Sequence, residues 1–103
     1  MPFKKIILVL FFLIFSISAL AESKMDLGLD VYNNKAQCGV CHTLQAAGST
    51  GDIGPNLDQL KAQMAQIIAV VTNGIGVISP LEGILTYEEI EAVDYYVFNS
   101  TNK

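Results

Sequence analysis

The two cysteines and the single histidine of this chain all lie within five consecutive residues, Cys38-Gly39-Val40-Cys41-His42. Thiols and imidazoles are side chains that bind metals, form disulfides or attach cofactors covalently. Because the other 98 of the 103 residues include no Cys or His, we interpret the cluster as a single chemical site.

Four kinds of site use a C-x-x-C pattern of this length. A thioredoxin-like redox pair requires a βαβ setting, and a structural zinc site requires four ligands. A short disulfide suits an exported protein, but it leaves His42 without a role. Covalent haem attachment uses all three residues, because Cys38 and Cys41 can each form a thioether with one vinyl group while His42 binds the iron as proximal ligand. We favour haem, with the disulfide as the alternative.

A histidine that binds iron must be neutral, and its second ring nitrogen usually donates a hydrogen bond to a fixed acceptor. Pro55 is the candidate to supply a backbone carbonyl for His42, because its restricted φ stiffens the Gly54-Pro55 segment. A role of Pro55 in turning the chain is the alternative.

Residues 1–21 have the features of a secretory signal peptide. Lys4 and Lys5 precede the apolar run Ile6–Phe15, and Ala19-Leu20-Ala21 supplies the small residues of a cleavage site. The run is shorter than the roughly 20 residues that span a bilayer. We therefore predict cleavage after Ala21, a periplasmic domain at residues 22–103 and no stable membrane insertion; an uncleaved signal would instead act as an N-terminal membrane anchor.

The predicted mature chain is acidic, with four lysines, ten Asp and Glu residues and a net charge of −6. This charge argues against binding of nucleic acid, which requires clustered basic residues, and favours partners with a basic docking surface. Between residues 62 and 102 there is no Lys or Arg, and five acids form a candidate docking patch, with a solvated helix face as the alternative: Glu82, Glu88, Glu89, Glu91 and Asp94.

The periodicity predicts an all-α domain without strands. A short helix is expected at Asp26–Asn33 and a longer one at Leu57–Thr72, whose apolar stripe recurs at helical spacing. The stripe consists of Leu60, Met64, Ile67, Ile68 and Val71. The closing helix is expected from a capping box at Thr86 to about Asn99, with Ile90, Val93 and Val97 on its inner face. Glycine- and proline-rich loops separate these helices.

Several motifs together resemble the class I c-type cytochromes: Val31-Tyr32, CGVCHT, GPNL at 54–57, VTNG at 71–74, LTYEEI at 85–90 and YYV at 95–97. The resemblance implies a cytochrome c-like fold, with three or more helices around one covalent haem c. It also implies that the first and last helices cross near Gly28 and Tyr96, and that Pro55 accepts from the proximal histidine. GDIGPNLDQL and NGIGV are further similar to the cytochrome subunits of bacterial sulfite dehydrogenases.

The resemblance implies an electron carrier, not an enzyme, that passes single electrons between a dehydrogenase and a terminal acceptor, on its own or within an oxidoreductase complex. One position departs from the family, which usually places an axial methionine where this chain has Ile78. Met64, on the middle helix, is then the candidate distal ligand, and a core role is its alternative. If no side chain takes that position, the chain could instead bind a small gas at the iron.

Overall fold

The computed structural model describes residues 19–76 and 78–103. The predicted signal peptide, residues 1–21, therefore lies almost wholly outside the described residues. Across these residues, no helix has both the length and the apolar character that a membrane crossing requires.

The described chain is mostly helical, as predicted. Helix α1 covers residues 19–30 and continues into one π-helical turn, so the helix predicted at Asp26–Asn33 is present but starts earlier. The remaining elements follow in chain order. They are the π turn Val31–Lys35, the 3₁₀ turn Cys38–Val40, strand β1 Thr43–Leu44, the 3₁₀ turn Gln45–Ala47, strand β2 Ser49–Thr50, α2 Leu57–Leu60, α3 Met64–Asn73 and α4 Tyr87–Thr101.

The segment after the CGVCH motif contains a small β-hairpin. β1 and β2 pair antiparallel, with Thr43 opposite Thr50 and Leu44 opposite Ser49. The expectation of no strand is therefore wrong for these four residues. Two-residue strands are too short to produce the alternation by which a strand is recognised in a sequence.

The helix predicted at Leu57–Thr72 is two helices in the structure. Lys61 has a left-handed backbone with φ of 47°, and its N–H donates to the Leu57 carbonyl at 3.2 Å, which ends α2. The apolar period continues across this break, so the spacing alone did not reveal it. As a result the predicted stripe is divided: Ile67 is buried, while Leu60 is 55% and Ile68 44% exposed.

Helix α4 begins at the predicted capping box. The Glu89 N–H donates to the Thr86 hydroxyl at 3.1 Å, and the Thr86 N–H donates to the Glu89 carboxylate at 2.9 Å. The box satisfies two of the N–H groups that a helix start leaves unpaired. The prediction that Ile90, Val93 and Val97 face inward is confirmed, since all three are buried.

Helices α1 and α4 cross at Gly28, as the resemblance implied. A Cβ atom at Gly28 would lie 2.3 Å from the Ala92 carbonyl oxygen and 2.4 Å from the Tyr96 Cβ. Beside the crossing, the rings of Tyr32 and Tyr96 pack with their centroids 6.0 Å apart. The core around them joins the π turn, β1, α3, the loop before α4 and α4 itself: Val31, Tyr32, Leu44, Ile67, Leu85, Ile90, Val93, Tyr96 and Val97.

The five acids between residues 62 and 102 do not form one exposed patch, so that prediction is wrong as a single surface. Asp94 lies in the core and is 2% exposed. Glu89 is paired with Lys35 of the π turn, and Glu91 is paired with Lys24 of α1 at 2.5 Å. Glu82 and Glu88 remain as exposed acids. Helix packing separates these acids, because one side of α4 directs Asp94 into the core and another side places Glu91 beside Lys24 of α1.

Candidate haem-binding site

The CGVCH segment folds into one helical turn. The N–H groups of Cys41 and His42 both donate to the Cys38 carbonyl, at 3.2 and 3.0 Å. The two residues between the cysteines, Gly39 and Val40, are enough to close this turn. It begins directly after Gln37, whose φ of 52° lies in the left-handed region, a conformation that costs an ordinary L-residue about 1–2 kcal/mol.

His42 is fixed by the proline identified in the sequence. Its Nδ1 lies 2.7 Å from the Pro55 carbonyl oxygen. Because a carbonyl oxygen can only accept, Nδ1 carries the proton and the lone pair of the neutral ring lies on Nε2. The predicted hydrogen bond is thus present, and it leaves His42 in the tautomer in which Nε2 can bind a metal ion.

Two glycines allow the chain to pack closely on this turn. A Cβ at Gly54 would lie 2.5 Å from Cε1 of the His42 ring, so the segment before Pro55 can approach the imidazole only without a side chain. A Cβ at Gly51 would lie 2.6 Å from the carbonyl oxygens of both Gly39 and Val40. The backbone at Gly51, directly after the hairpin, therefore packs against the carbonyl groups of the CGVCH turn.

Tyr32 connects the π turn to the same region. Its side chain is fully buried, its hydroxyl lies 2.9 Å from the Ser49 hydroxyl, and it donates a longer hydrogen bond of 3.5 Å to the His42 carbonyl. Burial raises the pKa of the Tyr32 phenol, which keeps it a hydrogen-bond donor. The sequence identified Tyr32 only as part of a family motif and gave no sign of the polar contact, because Ser49 is 17 positions away.

The two cysteine side chains are half-buried and are not joined in a disulfide. Burial is the largest cause that raises the pKa of Cys38, to about 11, with smaller contributions from the charges of Cys41 and Asp94. Within residues 19–76 and 78–103, no group of three or more His, Cys, Asp and Glu side chains could hold a metal ion together. The described donors are thus one imidazole and two neighbouring thiols, the set that covalent haem attachment uses.

The two positions considered for the distal side are the first residue of α3 and a residue in the loop that follows α3. Met64 begins α3 and is half-buried. The other methionine of residues 22–103 is Met25 of α1, which packs against the core. Ile78 closes a tight turn with Ile75 through two backbone hydrogen bonds of 3.1 and 2.9 Å, and it is 37% exposed. The roles of Met64 as a ligand and of Ile78 in place of one stay predictions.

The described surface also suits a large apolar cofactor. Aliphatic side chains of the motif and of the segments from residue 53 to 78 are well exposed: Val40, Ile53, Leu60, Ile68, Ile75 and Ile78. A bound porphyrin would offer such side chains an apolar surface to contact. Together with the tautomer of His42 and the two thiols, they fit a porphyrin attached at Cys38 and Cys41.

Comparison with known proteins agrees with this geometry. Residues 23–97 match the family model described as cytochrome C oxidase, cbb3-type, subunit III. None of the curated proteins matches the chain. Among solved structures, the chain is similar to the c-type cytochrome SorU from Sinorhizobium meliloti, with 45% identity over 80% of this chain and 95% of that one and a TM-score of 0.73.

The fold and the site define a haem protein of the cytochrome c type. The chain belongs to the family matched over residues 23–97, and it is a small class I c-type cytochrome. It accordingly binds haem c covalently and is an electron-transfer protein, as the sequence predicted.

Proposed function

We propose that residues 22–103 form a periplasmic carrier that moves single electrons between a dehydrogenase and a terminal acceptor. The observation that carries the proposal is the 2.7 Å contact between His42 Nδ1 and the Pro55 carbonyl, because it orients the imidazole as an iron ligand beside two thiols. In this proposal Cys38 and Cys41 form the thioethers, and His42 Nε2 binds the iron.

The haem supplies the one-electron chemistry, and the protein supplies attachment, orientation and electrostatics. Pro55 keeps the proton of His42 on Nδ1. Gly51 and Gly54 let the backbone close behind the motif, and Tyr32 ties it to the helical core. Rigid packing around the haem favours electron transfer, because a site whose structure changes little between the oxidised and reduced states needs little reorganisation.

Attachment is tested by exporting the full chain in a host that matures c-type cytochromes. We expect a red protein that starts at Glu22 and whose mass exceeds that of residues 22–103 by one haem. Cys38→Ala and Cys41→Ala should each retain one thioether, and the double variant should lose covalent haem. Met25→Leu is the matched control and should stay red. A colourless wild-type protein with the mass of bare polypeptide would overturn the proposal.

We propose that Met64 binds the iron on the side opposite His42. Replacing it in Met64→Leu should then remove this ligand and convert a low-spin haem into a high-spin one, whereas Met25→Leu should leave the spectrum unchanged. An unchanged spectrum in Met64→Leu would assign Met64 to packing. If the reduced wild type then binds carbon monoxide readily, the gas-binding alternative gains the support that it lacks at present.

We propose a sulfite-oxidising dehydrogenase as the electron donor, supported by the sequence similarity of GDIGPNLDQL and NGIGV to cytochromes of such enzymes. Catalytic amounts of a sulfite dehydrogenase from the same organism should reduce the protein on addition of sulfite. Mixtures without sulfite, or with a formate dehydrogenase and formate, serve as controls. Equal reduction by the second enzyme would show that the carrier is not specific for sulfite oxidation.

A further inference from the structure

Asp94 is an acidic residue in the core of α4. It is 2% exposed, and within the described part of the chain neither of its carboxylate oxygens takes part in a hydrogen bond. A charged carboxylate without a partner is costly to bury, so a buried acid of this kind favours its protonated form and responds to any nearby change of charge.

Asp94 also lies within electrostatic range of the haem-attachment turn. It follows Ile90 by four residues and precedes Val97 by three, and it shares their buried face of α4. Cys38 of that turn packs against the same core cluster, to which this face of α4 contributes Ile90 and Val97. A porphyrin attached to Cys38 would therefore lie beside the buried core that holds Asp94, and charges in such surroundings interact more strongly than in water.

The other ionisable groups on the elements packed around Asp94 are hydrogen-bonded, paired with an opposite charge, exposed or phenolic. α3 has none, and the Asp58 carboxylate of α2 accepts from the Gln45 N–H. Lys35 and Lys24, the basic residues of the π turn and α1, are paired with Glu89 and Glu91. The others are the Tyr32 phenol of the π turn, the exposed Glu88 and the phenols of Tyr87, Tyr95 and Tyr96 on α4, and the exposed acids Glu22, Asp26 and Asp30 of α1.

We propose that Asp94 is a redox-linked proton site, which binds one proton when the protein is reduced and releases it on oxidation. One electron enters from the redox partner, and one proton passes from water to an Asp94 oxygen, converting the carboxylate into a carboxylic acid. Oxidation returns both. The chain would then be a carrier of electrons and protons together.

The direction of the coupling follows from charge. Burial alone raises the pKa of Asp94, to about 6, and an added electron raises it further because like charges disfavour ionisation. Between the oxidised-state and reduced-state pKa values, reduction takes up a proton and becomes less favourable as the pH rises. We expect the equilibrium constant for reduction to fall roughly three- to tenfold from about pH 5 to about pH 8.

The test is a potentiometric titration of the haem-loaded protein across that pH range. In Asp94→Asn the equilibrium constant for reduction should no longer depend on pH. At about pH 8 it should exceed the wild-type value, because the variant has no carboxylate charge at this site. Asp26→Asn is the matched control, since Asp26 is exposed on α1, and it should keep the wild-type slope. An equal slope in Asp94→Asn and the wild type would overturn the proposal.

A second measurement needs no variant. Redox-difference infrared spectra of the wild type should show a protonated carboxyl band that grows on reduction and shifts when aspartate is labelled with ¹³C. Absence of this band at about pH 6.5, midway in the coupled range, would overturn the proposal even if Asp94→Asn failed to fold. The inference requires bound haem but no particular partner. Reversible one-electron reduction without pH dependence would therefore reject Asp94 while leaving the carrier proposal standing.

Discussion

At the scale of single residues, Asp94 shows a conflict between folding and charge. Its side chain lies among apolar neighbours of α4, and burial raises its pKa from 3.8 to about 6. An acid whose pKa is higher in the folded state stabilises the fold while protonated and destabilises it once ionised. The stability of the protein should therefore depend on pH in the range between these two values.

The Asp94→Asn variant tests this dependence in urea unfolding experiments. Below about pH 4 the carboxyl group is protonated in both states, so we expect nearly equal stability of variant and wild type. As the pH rises through 6 the wild type alone acquires a buried charge, and the variant should become more stable by about 3 kcal/mol. Equal stability at pH 8 would show that the carboxylate is not desolvated.

The second residue with a clear expectation is Ile78, at the position of the family methionine. An aliphatic side chain has no lone pair for iron, whereas a thioether opposite histidine raises the reduction potential. If Met64→Leu shows that Met64 is not a ligand, Ile78→Met should therefore raise the potential and yield a low-spin spectrum. Ile75→Met, three residues earlier in the same turn, is the control and should change neither. An unchanged potential in Ile78→Met would show that a thioether at residue 78 does not reach the iron.

At the scale of elements, the crossing of α1 and α4 depends on one missing side chain. A methyl group at Gly28 would meet the Ala92 carbonyl oxygen at 2.3 Å, and a backbone atom cannot move aside as a side chain can. The two helices would have to separate, which disturbs the contact of Tyr32 with Tyr96. The crossing is thus a steric requirement and not a matter of helix propensity.

Gly28→Ala should accordingly destabilise the protein although alanine favours helices. Overpacking of a tight contact costs about 1–3 kcal/mol, which exceeds the gain of about 0.5–1 kcal/mol in propensity. Thermal unfolding followed by circular dichroism measures the difference. Ser23→Ala, at an exposed site of α1, should change stability by less than about 0.5 kcal/mol. A Gly28→Ala variant as stable as the wild type would show that the helices do not approach so closely.

At the scale of the whole molecule, net charge governs encounters with partners. Residues 22–103 carry a net charge of −6, although packing assigns Asp94 to the core and Glu89 and Glu91 to lysines. Long-range attraction depends on the summed charge more than on one patch. A cationic partner should therefore be attracted even without the five-acid surface that the sequence suggested.

Stopped-flow oxidation by small inorganic complexes measures this attraction. The rate with a cationic complex, such as tris(phenanthroline)cobalt(III), should fall as salt is added, because screening shortens the reach of the charges. The rate with anionic ferricyanide should rise under the same conditions. Rates that respond to salt in the same direction for both reagents would contradict steering by net charge.

The residues of the haem-attachment motif and its orientation could be identified from the sequence because they depend on local spacing. Cys38, Cys41 and His42 lie on one turn, the Thr86 capping box spans four residues, and the role of Pro55 follows from the family motif. The mostly helical fold was available from periodicity, whereas the crossing at Gly28 came only from the family resemblance. Local hydrogen bonds and side-chain periodicity determine such features, so any tertiary arrangement that satisfies them preserves them.

Other features were decided only by tertiary structure. The helix break at Lys61 could not be recognised, because the apolar residues on its two sides continue at helical spacing. The Tyr32–Ser49 contact joins residues that no spacing rule connects. Asp94 was counted among the surface acids because its charge is visible in the sequence and its neighbours are not. Burial depends on which elements pack around a side chain, and that packing is set by long-range contacts that a single sequence does not display.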